Sequence, residues 1–316
     1  MTSDVMIKNS RNKFYGRYSD EIDSEDITVV IPTLNEALGI GQVIESVFNA
    51  GYYNVLIVDG YSSDNTVEVA KEYKVKILMQ HGKGKTGALK TCIEHVETPY
   101  FIVMDGDATY DPKDIAQFKP HMKFYNQIIG VRTSGREKIT KLNRFGNWVI
   151  NKCFNMMFGT KLTDVCSGLY CLNTEFARGL ILNTQGFDVE VEIAAQAADS
   201  GSITQVPITF AERIGIQKLN PFKDGAKILL AIFKLARIYN AVILYSFISA
   251  LTIVPAFLIL SWVLFEALAG TWHNGIALIG VLLSVLATQA FTISTIASQQ
   301  RRSEQRLLQK LKGKKF

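Results

Sequence analysis

The sequence predicts an α/β fold with a mostly parallel sheet, followed by an amphipathic helix and two membrane-spanning helices. Three observations carry that expectation. Short apolar runs alternate with helical periodicity from Ile27 to Phe210, and two of these runs end in carboxylates. Ala241 to Phe265 and Gly275 to Ser298 contain no charged residue, and each is long enough to cross an apolar core of about 30 Å as a helix. Residues 301–316 hold seven Lys or Arg against Glu304, a local charge of +6 in a chain whose total is +5.

The 316 residues leave room for one α/β domain of about 200 residues and something smaller. Basic charge confined to a tail points to an anionic membrane surface; a nucleic-acid protein would spread it over a folded face, so no nucleic-acid partner is expected. Cys92, Cys153, Cys166 and Cys171 show no CxxC spacing and sit among apolar neighbours, as reduced core residues of a cytosolic protein do. Residues 1–26 are polar, with Asp20, Glu21, Asp23, Glu25 and Asp26 clustered at the end; they predict a flexible arm with no secretory signal.

Order is expected from Ile27. Ile27 to Pro32 is a β-branched strand stopped by proline, and Thr33-Leu34-Asn35-Glu36 leads into a helix with Ile40, Val43, Ile44 and Val47 on one face. Val55 to Asp59 is a second strand, and Ser62 to Thr66 supplies capping chemistry for the next helix. A third strand covers Val75 to Met79. The loop that follows, Gly82-Lys83-Gly84-Lys85-Thr86-Gly87, satisfies G-x-G-x-x-G, the dinucleotide spacing. It follows the third strand and not the first, which argues against a dinucleotide site, but its backbone N–H groups and Lys85 suit a phosphate.

Pro99 to Met104 is a buried strand, and Asp105-Gly106-Asp107 stands at its carboxyl end, where open α/β sheets build ligand sites. Hard oxygen donors at this spacing suit Mg²⁺ or Mn²⁺ on a pyrophosphate. Gln127 to Arg132 is a further strand, and it leads to Arg132, Arg136, Lys138, Lys141 and Arg144 on the same edge, where arginines would capture a second phosphate. Leu162 to Tyr170 reads as a turn and strand, Phe187 onward as a helix with Glu190 and Glu192 in its first turn, and Ile203 to Phe210 as the final strand. From Pro221 to Asn240, Ile228, Leu229, Ile232, Phe233, Leu235 and Ala236 oppose Lys223, Lys227, Lys234 and Arg237, which predicts a helix in the membrane interface. The connector 266–274 has no Lys or Arg while both outer flanks are basic, so the catalytic domain and both termini are expected on the cytoplasmic side of a two-span protein. The expected divisions are therefore 1–26, 27–220, 221–240, 241–298 and 299–316.

Together these residues resemble the family 2 glycosyltransferases of the Rossmann-like GT-A fold, in particular the polyprenyl-phosphate glycosyltransferases typified by dolichol-phosphate mannose synthase. The resemblance spans Ile27 to Leu219. It rests on Val30 to Glu36, Asp59 with Ser62, Asp64 and Thr66, Gly82-Lys83-Gly84, Asp105-Gly106-Asp107, Ser167-Gly168, and Arg213, Gly215, Lys218 and Leu219. It implies that Pro32, Glu36 and Asp59 hold the nucleoside and that Asp105 and Asp107 hold the metal and diphosphate. It also implies that Arg213 and Lys218 close over the pyrophosphate and that Arg132 and Arg144 receive the lipid phosphate. Gly60 stands where the family usually has a second Asp, Thr109 where many members carry a Gln, Asp111 where there is a proline, and Gln217 where serine is common.

The expected partners are a nucleotide sugar (GDP-mannose, UDP-glucose or UDP-N-acetylglucosamine), a polyprenyl or dolichyl phosphate and the bilayer; a homo-oligomer is compatible with the sequence. The expected reaction is direct, inverting transfer with Mg²⁺ or Mn²⁺. A processive polysaccharide synthase would carry a Q-x-x-R-W segment, which is not found here, and two spans offer little to build a polymer channel. A non-catalytic membrane scaffold with a relict transferase domain is the reading from another class.

Overall fold

The computed structural model describes residues 22–184, 186, 188–215 and 221–312. Among them, one sheet runs in the order β3-β2-β1-β4-β6-β5-β7, where β1 is Ile27–Thr33, β2 Val55–Asp59, β3 Lys76–Met79, β4 Tyr100–Val103, β5 Gln127–Ser134, β6 Tyr170–Asn173 and β7 Ile203–Thr209. β6 runs antiparallel to β4 and β5, and every other pairing is parallel. Two reversals cancel, so β5 and β7 point the same way as β1, β2 and β4. Their carboxyl ends share one edge.

Strand periodicity explains the layers. Val29 and Ile31 face one side with Ile57 and with Ile40, Val43, Ile44 and Val47 of α1 (Ile40–Asn49). Val30, Leu56 and Val58 face the other, against Ala88, Leu89 and Cys92 of α3 (Gly84–His95). Between them α2 (Thr66–Glu72) is preceded by Asp64, whose Oδ1 accepts from the Thr66 N–H at 3.1 Å. Ile22 is only 8% exposed in the first of these cores, so packing begins five residues before the expected start at Ile27; residues 1–21 lie outside the described residues.

A third core is made by helices. The cationic stretch after β5 turns into α4 (Lys141–Phe158), capped by Thr140 Oγ1, which accepts from the Asn143 N–H at 3.3 Å. Its Ile150, Phe154 and Met157 pack on α6 (Val189–Asp199) and on α7 (Pro221–Tyr239). A short α5 (Thr174–Arg178) follows β6. The apolar face that predicts an interfacial helix in α7 is the face docked here, with Ile228, Ile232, Leu235 and Ala236 buried. Phe233 of that expected face stays exposed instead, together with Phe222, Leu230 and Ile238, among the lysines of α7.

α8 (Ala241–Leu268) and α9 (Asn274–Lys312) follow, about 42 and 58 Å long at 1.5 Å per residue. Their apolar windows have mean hydropathies of 2.3 and 2.2, so they are long and apolar enough to span a membrane, and only 11% and 17% of those windows is buried among the described residues. They pair through small polar residues: Ser246 and Ser294 hydroxyls are 2.8 Å apart, and Ser249 Oγ donates to the Ala287 carbonyl at 2.9 Å.

Candidate active site

Asp105 and Asp107 follow β4 at the shared carboxyl edge. Gly106 is not in the left-handed region; it is a contact glycine, where a Cβ would stand 3.3 Å from both Ile31 Cγ2 and Thr33 Cγ2. The left-handed residue of the turn is Ala108, at φ 60°. That conformation folds Thr109 back, so that its N–H and its hydroxyl donate to Asp107 Oδ1 at 3.1 and 2.6 Å. Thr109, at the place where a Gln ligand was expected, thus orients Asp107. Burial raises the Asp107 carboxyl above the usual carboxylate range and the charge of Asp105 adds to this, while Thr109 and Arg213 oppose it.

Asp105 lies on Lys85, whose ammonium is 2.8 Å from Asp105 Oδ1 and 2.6 Å from Glu190 Oε1. Burial works to lower the Lys85 pKa, but the two carboxylates together hold it well above the ordinary lysine value. The opposite wall is Gly168: a Cβ there would come within 2.0 Å of Asp105 Oδ2, so only glycine admits the carboxylate. Gly168 donates its N–H to Tyr110 Oη at 2.8 Å, and the Tyr110 ring meets Phe210 edge-on with centroids 5.7 Å apart.

On the side expected to hold a nucleoside, Pro32 and Thr33 register with Val58 and Asp59. Asp59 is fully buried: Oδ1 accepts from Thr33 Oγ1 at 3.1 Å and Ser62 Oγ at 2.6 Å, and Oδ2 from the Ser62 N–H at 2.8 Å. Its carboxylate shapes the loop from inside. Glu36 donates its N–H to Thr66 Oγ1 at 2.8 Å, and its carboxylate stands 3.6 Å from Arg213 Nη2.

Arg213 is brought to the carboxylates by the chain beyond β7. Ala211 donates to the Thr109 carbonyl at 2.8 Å and Ile214 to the Asp107 carbonyl at 3.0 Å, which places Arg213 Nη2 2.8 Å from Asp107 Oδ2. Its Nε is buried without a hydrogen-bond partner. Lys218, expected beside it, lies outside the described residues.

Arg132 and Arg144 line one small cleft with Asn147 and Thr163. Asp164 grips Arg132 in a fork, accepting from Nε at 2.6 Å and from Nη2 at 2.5 Å, and the guanidinium lies over the Phe210 ring at 5.3 Å. Burial alone would lower the Arg132 pKa; the Asp164 bonds raise it, so the cation is permanent. The path Asp105, Gly168, Tyr110, Phe210, Arg132 connects the two halves of the edge through direct contacts.

A divalent cation is the cofactor the sequence suggests, and the residues suit one. Both donors are carboxylate oxygens, each already attracts a cationic nitrogen at 2.8 Å, and the Asp105 cradle is one that a methyl would fill. Among the described residues no group of three His, Cys, Asp or Glu could hold a metal ion, so further ligands would be substrate oxygens and water. Sequence reasoning missed Asp164 and Glu190. Glu190 reads as a helix-dipole acid in the first turn of α6, yet it is buried against Lys85, and Glu192 accepts from the Thr184 hydroxyl at 2.8 Å. Only their position among apolar neighbours distinguishes them in the sequence.

Residues 28–177 match the family model described as Glycosyl transferase family 2. Glycosyltransferase AglJ of Haloferax volcanii is 34% identical over 68% of this chain and 73% of its own length. A dolichyl-phosphate hexose transferase of the same organism is 29% identical over 68% of this chain and 95% of its own. The dolichol-phosphate mannosyltransferase of Pyrococcus furiosus is 29% identical over 59% and 57%. Glucosyl-3-phosphoglycerate synthase of Mycobacterium tuberculosis, solved with Mn²⁺, UDP-glucose and phosphoglyceric acid, superposes with a TM-score of 0.55 at 18% identity over 66% of this chain and 79% of that one, which is a likeness of fold.

Proposed function

The chain belongs to glycosyl transferase family 2, and on that premise we propose that it moves one hexose from a nucleotide sugar to a polyprenyl phosphate at the membrane, with inversion at the anomeric carbon. The observation that carries this reading is the pairing, on one sheet edge, of a carboxylate pair suited to a diphosphate-bound metal with a separate arginine cleft suited to a phosphate. Relatives that act on dolichyl phosphate support the acceptor class.

An acceptor oxygen attacks the anomeric carbon, the bond from that carbon to the diphosphate breaks, and its electron pair leaves with the nucleoside diphosphate. A phosphate monoester has its second pKa near 6, so it is mostly an anion at neutral pH and needs no strong general base. The difficulty is repulsion between two anions. Asp105 and Asp107 would hold Mg²⁺ or Mn²⁺, which when bound neutralises the leaving diphosphate. Arg213 sits where it can transfer from Asp107 to that diphosphate. Asp164 fixes the plane of Arg132 so that its remaining Nη1 and Arg144 meet the acceptor phosphate.

The lipid reaches the cleft along α4 and α7. α4 presents Leu142, Phe145, Trp148 and Met156 as one exposed stripe on the face opposite its core residues, and α7 adds Phe222, Leu230 and Phe233. With α8 and α9 spanning the bilayer, these surfaces lie against its cytoplasmic leaflet. Transfer of labelled hexose to a short polyprenyl phosphate, in detergent with Mn²⁺, tests the reading. Asp107→Ala is expected to lower kcat at least about 100-fold, and a chelator to abolish turnover. Full activity of the variant would sink it.

A further inference from the structure

The Lys85 ammonium serves two carboxylates, and only one of them belongs to the substrate edge. Glu190 projects from the first turn of α6, is 4% exposed, and holds Lys85 at 2.6 Å; its other oxygen, Oε2, is buried without a hydrogen-bond partner. Asp105 holds the same ammonium at 2.8 Å and is pressed on its far side by Gly168. A lysine that faced Asp105 alone would neutralise it and compete with any cation brought to that carboxylate. A lysine shared with a second, buried carboxylate neutralises Asp105 only in part and still fixes its orientation.

We propose that Glu190 is a positioning residue that takes a share of the Lys85 ammonium, so that Lys85 clamps the Asp105 carboxylate without closing it to a divalent cation. The proposal rests on the reading of Asp105 as a metal ligand. It assigns Lys85 to the carboxylate cluster and leaves the donor phosphates to Arg213 and the loop backbone.

Charge sharing has a signature that loss of packing lacks. Glu190→Gln keeps the shape and removes the second carboxylate, leaving Lys85 wholly to Asp105. The Mn²⁺ affinity of the full chain in detergent, read from the free-Mn²⁺ paramagnetic resonance signal, is expected to fall about tenfold or more. Lys85→Met combined with Glu190→Gln removes the competing cation and the buried counter-charge together, a replacement of both partners that folded proteins tolerate best. The double variant is expected to recover Mn²⁺ affinity to within about threefold of the parent, while its kcat stays low because Asp105 is no longer clamped. Thermal denaturation midpoints verify that both variants are folded.

Unchanged Mn²⁺ affinity in Glu190→Gln, or a double variant that binds no better than the single one, overturns the proposal and leaves the metal site standing. A parent chain whose Mn²⁺ binding is absent or unaffected by Asp105→Asn overturns the metal site and this proposal with it.

Discussion

At the scale of single residues the site is a set of orientations imposed by neighbours. Asp107 points as it does because Ala108 accepts φ 60° and returns Thr109 to it. Asp105 points as it does because Lys85 draws one oxygen and Gly168 leaves room for the other. Gly168→Ala therefore places a methyl within 2.0 Å of Asp105 Oδ2. Overpacking of this kind costs about 1–3 kcal/mol of stability, and the displaced carboxylate is expected to lower transfer at least about 100-fold; a thermal melt and an initial-rate assay check the two effects separately. The sequence makes Asp105, Asp107 and Gly168 visible as a motif. It does not show that they touch, because residues 105 and 168 come from either side of β5 and α4 in the chain and meet only when β6 pairs with β4.

At the scale of elements, α4 and α7 repay comparison. Both are amphipathic, with Ile150, Phe154 and Met157 of α4 and Ile228, Ile232, Leu235 and Ala236 of α7 going into the protein, and the exposed stripes contain Trp148, Phe145, Leu230 and Phe233. Apolar residues exceed what one buried face needs, and period alone cannot say which of two stripes faces protein and which faces lipid. The distinction is measurable. Ile232→Ala, fully buried, is expected to cost about 2–5 kcal/mol; Phe233→Ser, at 41% exposure, is expected to shift stability by no more than about 0.5 kcal/mol. Denaturation of the two variants in the same detergent separates docking from exposure. α4 itself was illegible as a helix start because Lys141 and Arg144 continue a cationic run, and its cap, Thr140, is one hydroxyl among charges.

At the scale of the whole molecule, the sheet edge and the hairpin define a direction. At the hairpin end Trp262 of α8 is stacked on His273 of the turn with centroids 4.9 Å apart, and Trp272 of the turn is exposed, an aromatic pattern suited to the far interface of a bilayer. The basic tail begins where the apolar part of α9 ends. For the proposed cytoplasmic placement of the catalytic domain, Trp272→Cys is expected to react with an impermeant maleimide in intact cells, and Ser303→Cys only after permeabilisation. The native thiols give little background: Cys92 and Cys171 are buried, and burial pushes the thiols of Cys92, Cys153, Cys166 and Cys171 above their ordinary pKa. Labelling with the opposite sidedness overturns the proposed orientation.

The sequence by itself determined the strand and helix alternation, the carboxylate pair at a strand end, and two runs long enough to cross a membrane, because each depends on local period, length and composition. The tertiary structure alone decided that β6 runs antiparallel and so restores β5 and β7 to the direction of β4, which gathers Arg132 and Arg213 on the edge of Asp105 and Asp107. It also decided which charges neutralise which: Lys85 with Asp105 and Glu190, Arg132 with Asp164. Burial makes such pairings obligatory, since an unpaired charge away from water costs several kcal/mol, about as much as a domain's whole net stability. Which partner satisfies it is fixed by chain crossings tens of residues apart, and no local pattern records those.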